Sequence, residues 1–241
     1  MRAAGGNGTG QAAPGRRPAD TAPDPPLGRI PPFHGLPAPL LAAVEAHSQR
    51  ITWREGDAAP ALLGEHGHLF AVRHGRIGLL GAAPSGRRSI VAIIERGAVH
   101  TTLGEWTPPD AVALMDTVLT AVSARVLERL SARHPPFALD LAAALSDRVA
   151  MTMEVVAGLG QTHLEDRLWA RLLALAGRIG VATAEGVELH TRLTHAQWAL
   201  LAGGSRESVT LAFGRLQRAG RLRIGDDRVL IPWPQFSPPG E

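Results

Sequence analysis

Lysine is absent from the 241-residue chain, and so is cysteine. Without lysine there is no Walker-type phosphate loop, whose Lys reaches the outer phosphates, and no amine for a Schiff base. Without cysteine there is no disulfide framework, no Cys-held iron–sulfur cluster and no thiolate nucleophile. That usage suits a cytoplasmic protein. Long apolar runs are missing too. No stretch approaches the roughly 20 apolar residues of a membrane helix; Asp116 and Asp140 interrupt the best candidates. A soluble protein without a membrane span is expected. Catalytic signatures are also lacking. There is no H-E-x-x-H, and "GGSRE" from Gly203 lacks the second Gly of a nucleophile elbow. His163 and Glu165 fall within one helical turn, too close for a triad. The chain is therefore read as a non-enzyme, with no catalytic residue assigned.

What remains is a chain of 45% hydrophobic residues and net charge +3, its basic residues all arginine. The abundance of Ala, Gly, Pro and Arg matches a GC-rich coding sequence. Residues 1–32 are rich in Gly, Ala and Pro, contain no signal-peptide core and bury too little to offset ordering entropy. They are expected to form a disordered tail. "LPAPLLAAVEAHS" then has helical spacing, with Leu40, Leu41 and Val44 on one face. Short, branched, turn-punctuated segments follow: "ITWR", "LFAVRHGRIGLL" folding back near His74–Gly75, "SIVAII" after a turn from Pro84 to Gly86, and "TVLTAV". Such spacing predicts a small sandwich or roll of about 90 residues, here placed at residues 33–134.

The period then changes. After a short helix at "SARVLERL" and the sequence His134–Pro135–Pro136, a long helix is expected over 135–160. Leu141, Leu145, Val149, Thr152, Val156 and Leu159 step by four or three residues, close to a heptad seam. Such a seam either packs on its own domain or pairs with a second chain. Residues 161–236 then read as a helix with Leu164, Leu168, Leu172 and Leu175 on one side, a short strand, two helices and a hairpin. Thr194 and Ser205 are good N-caps. Val209, Phe213 and Leu216 form a buried stripe, Gly220 ends the second helix, and "RLRIGDDRVLI" alternates through a turn.

Two helices joined by Gly203–Gly204 and followed by a hairpin make a winged helix-turn-helix. Its second helix fits a major groove about 12 Å wide, and helix tips favour phosphate. Arg206 can donate two parallel hydrogen bonds to guanine, and Glu207 can accept from cytosine N4. Thr210 and Leu211 lie on open faces of the same helix. Leu211 can touch a thymine methyl. Arg215 is a candidate for phosphate attraction. An ordinary solvated face explains any single arginine there equally well.

"LTHAQWALLAGGSRESVTLAFGRLQRAGRL" resembles the C-terminal DNA-binding region of the CRP/FNR family of bacterial transcription regulators. Leu193, Thr194, Gly203, Ser205, Arg206, Glu207, Val209, Leu216 and Gly220 fit its pattern, and "EDRLWARLLALA" looks like the preceding helix. The resemblance covers about 36 to 231 and is strongest over the last 70 residues or so. It implies an α+β fold: an N-terminal cyclic-nucleotide-binding-like β-roll, a long dimerising helix and a C-terminal winged helix. It also implies a homodimer paired through the long helix, base reading by Arg206 and Glu207, and phosphate contacts by Thr194 and Ser205. Leu211 departs from the family, whose members often carry a second Arg there.

Many family members bind cyclic AMP in the roll, through a Gly-Glu pair and a later Arg. Here Thr101–Thr102 stands in place of Gly-Glu, no Arg occurs between Arg96 and Arg125, and Glu105 comes late. On the long helix, Thr152–Met153 replaces the Thr-Ser pair of the cyclic AMP receptors. An unpaired buried phosphate would cost several kcal/mol, so no cyclic AMP response of the usual kind is expected and no cofactor is assigned; either another ligand, of unknown identity, binds in the roll or the protein is constitutively active. His66, His68, His74 and His100 raise a haem or metal reading, since some relatives hold haem. Exposed loop histidines are the reading adopted, with no metal site. The function expected is a sequence-specific regulator binding an inverted repeat of double-stranded DNA. The alternative is a ligand sensor whose winged helix contacts protein. RNA polymerase would be a partner of an activator, through a surface the sequence does not mark.

Overall fold

Period-two patterning in the first half produces a five-stranded antiparallel sheet. A computed structural model of the chain describes residues 24–82, 88–104, 110–159, 161, 163–191, 193–225 and 228–236. Strands β1 (Gln49–Trp53), β2 (His68–Ala82), β3 (Arg88–Glu95) and β5 (Asp110–Ser123) run in the order β1-β5-β2-β3, and β4 (Val99–Thr101) also pairs with β2. Alternation splits β2 between two cores. Phe70 and Val72 face Trp53, Ile94 and Leu119. Leu69 and Ala71 face Val122 and the helices α1 (Ala38–Ala46) and α2 (Ala124–Arg133), through Val44, Val126 and Leu130. Each such buried Val, Leu, Ile or Phe contributes about 1.5–3 kcal/mol.

Two expectations need correction here. The chain does not fold back at His74–Gly75; β2 continues through them in one strand. Gly75 has φ +82, and the pairing with β5 shifts register on either side of it. A Cβ at Gly75 would lie 2.4 Å from the Asp116 carbonyl oxygen. The glycine that resembles a hairpin turn is thus a bulge, which lets the long strand bend. The turn at 84–86 lies outside the described residues, but the antiparallel pairing of β2 with β3 fits it. Nor does the tail reach residue 32. Leu27 and Ile30, in and beside a 3-10 turn at Leu27–Arg29, are fully buried with Phe33 against α2. Two successive turns, the Ile30 N–H donating to the Leu27 carbonyl at 2.9 Å and the Phe33 N–H to the Ile30 carbonyl at 2.8 Å, bring the three side chains into one cluster. Residues 1–23 of the expected tail lie outside the described residues.

Beyond α2 comes the long helix α3 (Pro136–Leu159), then α4 (Leu164–Ile179), α5 (His195–Ala202) and α6 (Arg206–Arg218). Between and after them, β6 (Val181–Ala182), β7 (Gly186–Leu189), β8 (Arg223–Ile224) and β9 (Val229–Pro232) form an antiparallel sheet in the order β6-β7-β9-β8. Trp198, Val209, Phe213 and Leu216 bury against Leu168 and Leu172 of α4. The same cluster includes Leu80, Ile90, Ile93 and Leu114 of the large sheet. The helix-turn-helix unit therefore docks on the roll. Polar contacts reinforce the docking: Gln197 Nε2 donates to Glu55 Oε1 and to the Leu114 carbonyl, both at 2.9 Å. Arg76 Nη1 donates to the Thr191 carbonyl at 3.0 Å.

Candidate nucleic-acid interface

The turn between α5 and α6 determines where the second helix points. Thr194 caps α5 with a complete capping box: its hydroxyl accepts from the Gln197 N–H at 3.2 Å, and Gln197 Oε1 accepts from the Thr194 N–H at 2.8 Å. Gly203 ends α5 in the left-handed region, with φ +64 and ψ 48. Ser205 then caps α6, its oxygen accepting from the Ser208 N–H at 3.1 Å. Behind α6, Phe213 meets Trp198 edge-on at 5.7 Å and stacks on His195 at 5.3 Å.

This scaffold leaves Arg206, Glu207, Thr210, Leu211 and Arg215 exposed along α6. Leu211 is 60% exposed, an unusual position for a leucine on a helix whose apolar stripe is already buried. The Arg206 guanidinium makes no hydrogen bond or ion pair among the described residues. Its neighbour Glu207 is held below the ordinary carboxyl range, first by its own backbone N–H and then by the Ser205 hydroxyl and Arg206. The tip thus presents a free guanidinium beside a firmly ionised carboxylate. Thr210 differs from its sequence reading. Its hydroxyl donates to the Arg206 carbonyl at 2.9 Å and sits 2.8 Å from His195 Nδ1. Only its methyl is left to face a base.

The expected phosphate contacts sit at the two helix starts. Thr194 and Ser205 are exposed, with their oxygens already used as caps. Arg215 approaches Glu165 at 3.8 Å, 61% exposed, a surface pair of small net worth. The hairpin is less cationic than its arginines imply. Arg223 pairs with Glu185 at 2.8 Å, and Arg228 with Glu188 at 3.2 Å. The hairpin turn itself lies outside the described residues.

The residues expected in the long-helix seam divide. Leu141 packs partly against its own chain's core, and Leu145 and Thr152 are half-buried. The Thr152 hydroxyl donates back to the Arg148 carbonyl at 3.0 Å. Val149 is exposed, and Val156 and Leu159 lie outside the described side chains. The apolar stripe that faces outward runs through Leu139, Ala142, Ser146, Val149 and Met153, again with heptad steps. Leu139 is 75%, Val149 63% and Met153 66% exposed. The outward apolar stripe therefore does not coincide with the expected seam, because Leu141 packs on the helix's own domain and Leu145 is half-buried.

Sequence reading missed the residues that anchor the turn from behind. Arg167 Nε donates to the Ala202 carbonyl at 2.8 Å and its Nη2 to the Gly203 carbonyl at 3.3 Å. Arg171 Nε donates to the Leu201 carbonyl at 3.1 Å. These guanidinium groups satisfy the open carbonyls at the end of α5, where cations are favoured. A signal was present: two arginines four apart, interleaved with the apolar face of α4. The histidines also need correction. His68, His74 and His100 lie in or next to strands rather than loops, and His100 is buried, 7% exposed, stacked on Phe70 at 6.2 Å. Only His66 is exposed, with Nδ1 2.9 Å from the Gly104 carbonyl. Glu105 lies outside the described residues. No group of three or more potential metal ligands occurs among the described residues.

Comparison with known proteins is consistent with this geometry. A family model, the Crp-like helix-turn-helix domain, matches residues 166–235. The CRP-like cAMP-activated global transcriptional regulator of Mycobacterium tuberculosis is 27% identical over 205 residues, covering 83% of this chain and 91% of the relative. The global nitrogen regulator of Synechococcus elongatus is 24% identical, covering 68% and 76%. Among solved structures, a CooA mutant from Carboxydothermus hydrogenoformans superposes with a TM-score of 0.65 at 22% identity, covering 78% and 85%. FixK2 from Bradyrhizobium japonicum gives 0.60 at 21%, covering 76% and 92%. No helix among the described residues is long and apolar enough to cross a membrane.

Proposed function

We propose, for a chain that belongs to the CRP/FNR family of transcription regulators, a homodimer that binds an inverted repeat of double-stranded DNA through α6. Arg206 donates to guanine N7 and O6, Glu207 accepts from cytosine N4, and Leu211 lies against a thymine methyl. Thr194 retains a hydroxyl proton for phosphate, Ser205 reaches phosphate by turning its hydroxyl from Ser208, to which it donates at 3.0 Å, and Arg215 adds charge. The outward stripe on α3 pairs with its copy, which sets two α6 helices about one DNA turn apart, roughly 34 Å. The observation that carries this reading is the α6 tip. A free guanidinium, an ionised carboxylate and an exposed leucine project from a helix fully anchored behind.

Cyclic AMP is not its effector in the usual manner. The support is the Thr101–Thr102 pair, whose hydroxyls are engaged around the His68 carbonyl, and the lack of any Arg from 97 to 124. The cAMP response named for the mycobacterial relative remains that protein's property. The protein is expected in the cytoplasm, where its DNA lies, and the same activity requires no catalysis. Occupying a promoter is enough for repression; activation adds a contact with RNA polymerase.

Fluorescence anisotropy on genomic fragments selected by the protein tests the reading. Arg206→Ala should weaken the selected site by about 1–3 kcal/mol and relax base choice at one position, with little change on random duplex. Equal loss on both would reduce Arg206 to a phosphate contact. Titration calorimetry showing tight stoichiometric cyclic AMP binding would overturn the effector reading.

A further inference from the structure

His195 opens α5, immediately after the Thr194 cap, and is half-buried. Two contacts hold its ring. The imidazole stacks on Phe213 at 5.3 Å, with the two planes 13° apart. Its Nδ1 lies 2.8 Å from Thr210 Oγ1. Phe213 in turn packs edge-on to the buried Trp198. The ring is therefore fixed between the start of α5 and the first turns of α6.

Counting protons along these bonds decides what the other ring nitrogen can do. A threonine hydroxyl has a single proton, and Thr210 gives it to the Arg206 carbonyl at 2.9 Å. The proton of the 2.8 Å bond is then supplied by the imidazole, as Nδ1–H. In the neutral ring this leaves Nε2 as a bare acceptor. That nitrogen has no hydrogen-bond partner among the described residues and is not one of the enclosed polar atoms, so it reaches solvent. A bare Nε2 offers its lone pair to a phosphate oxygen and repels it. In the imidazolium both nitrogens donate, and the Nε2–H bond to phosphate is charge-assisted.

We propose that His195 contacts a DNA phosphate through Nε2 only when its ring is protonated, so that DNA binding is coupled to uptake of a proton. The inference rests on α6 being the DNA-reading helix, because the bonds from His195 to Thr210 and on to the Arg206 carbonyl place this ring beside the α6 tip. A backbone that reaches Thr194 passes its open edge. The charged groups around the ring come from two other elements. α6 supplies Arg206 and Glu207, adjacent and opposite in sign, in the turn before Thr210. The β8–β9 hairpin supplies Arg228, which lines the same groove and is paired with Glu188. α5 carries no other titratable side chain, and Arg192 lies outside the described residues. Histidine gains its charge in the mildly acid range. By linkage, DNA then favours the charged ring and acid favours the complex, with no ligand needed in the roll.

The test is fluorescence anisotropy of the full chain on one selected genomic fragment, over a salt series at pH 8 and again at pH 6. The parent is expected to bind about fivefold more tightly at pH 6, in about 0.1 M salt, and its slope of log affinity against log salt to steepen by about 0.9, the increment of one further phosphate contact. His195→Gln, neutral at both pH values, should show neither change. His195→Arg, charged at both, should show the steeper slope at both. Each protein is compared with itself, so a constant loss from a weaker stack on Phe213 cancels. A parent slope that is the same at the two pH values, or that steepens as much in His195→Gln, would overturn the proposal and leave the reading of α6 intact. So would a slope in His195→Arg that still changes with pH. A parent that binds no duplex at either pH would overturn the DNA reading and this proposal with it.

Discussion

Gly203→Ala isolates the conformational requirement of the turn that aims α6. Gly203 sits at φ +64, and a Cβ built there meets nothing within 4 Å. The penalty is therefore all backbone. Holding an L-residue in the left-handed region costs about 1–2 kcal/mol. Alanine also reduces the freedom of the unfolded chain, which offsets about 0.4–1 kcal/mol. A net loss of about 1 kcal/mol is expected, or roughly 2–4 °C in midpoint for a protein of this size. Asparagine tolerates the left-handed region better, so Gly203→Asn should lose about half as much. Gly204→Ala has a different cause. Its Cβ would lie 2.7 Å from Leu164 Cδ1, and its loss should shrink when Leu164 is also cut to Ala. Urea denaturation followed by circular dichroism measures all four variants. A Gly203→Ala protein as stable as the parent, or an asparagine variant no better than alanine, would refute the assigned turn.

Gln197→Ala removes an α5 cap bond and two hydrogen bonds to the roll, each worth about 0.5–1.5 kcal/mol; a total of about 2–4 kcal/mol is expected by urea denaturation. A loss well below 1 kcal/mol would mean that the docking contact does not form in solution. His100 is lowered from 6.5 to about 4, by burial first and Arg148 second. It stays neutral in the fold while the unfolded chain protonates near 6.5, so its stability contribution is complete above that pH. It is lost as pH falls toward 4, at up to about 1.4 kcal/mol per pH unit. Unfolding of the parent against His100→Gln between pH 7 and pH 4 should show that slope only in the parent. The double substitution Val149→Glu, Met153→Glu should yield a monomer in sedimentation, with a circular dichroism spectrum unchanged; a persistent dimer would place the interface elsewhere.

The sequence by itself determined the recognition unit. Thr194 and Ser205 as caps, Gly203 as the left-handed stop, the Val209–Phe213–Leu216 stripe and the open Arg206–Glu207 tip all follow from local rules. Helix capping and 3.6-residue periodicity act within a few residues, so neighbours in sequence suffice to reveal them. The order of strands, long helix and winged helix was legible for the same reason. Only the tertiary structure decided the rest, because it depends on residues far apart in sequence. Gly75 reads as a turn until β5 is placed beside it, where the lack of a Cβ admits the Asp116 carbonyl. Leu27 and Ile30 look like tail until α2 supplies a surface to cover them. Leu141 belongs to the seam by spacing, but its own domain claims that face and turns Leu139, Val149 and Met153 outward. Arg167 and Arg171 look like surface charge until the carbonyls of α5, some thirty residues away, arrive to accept their protons.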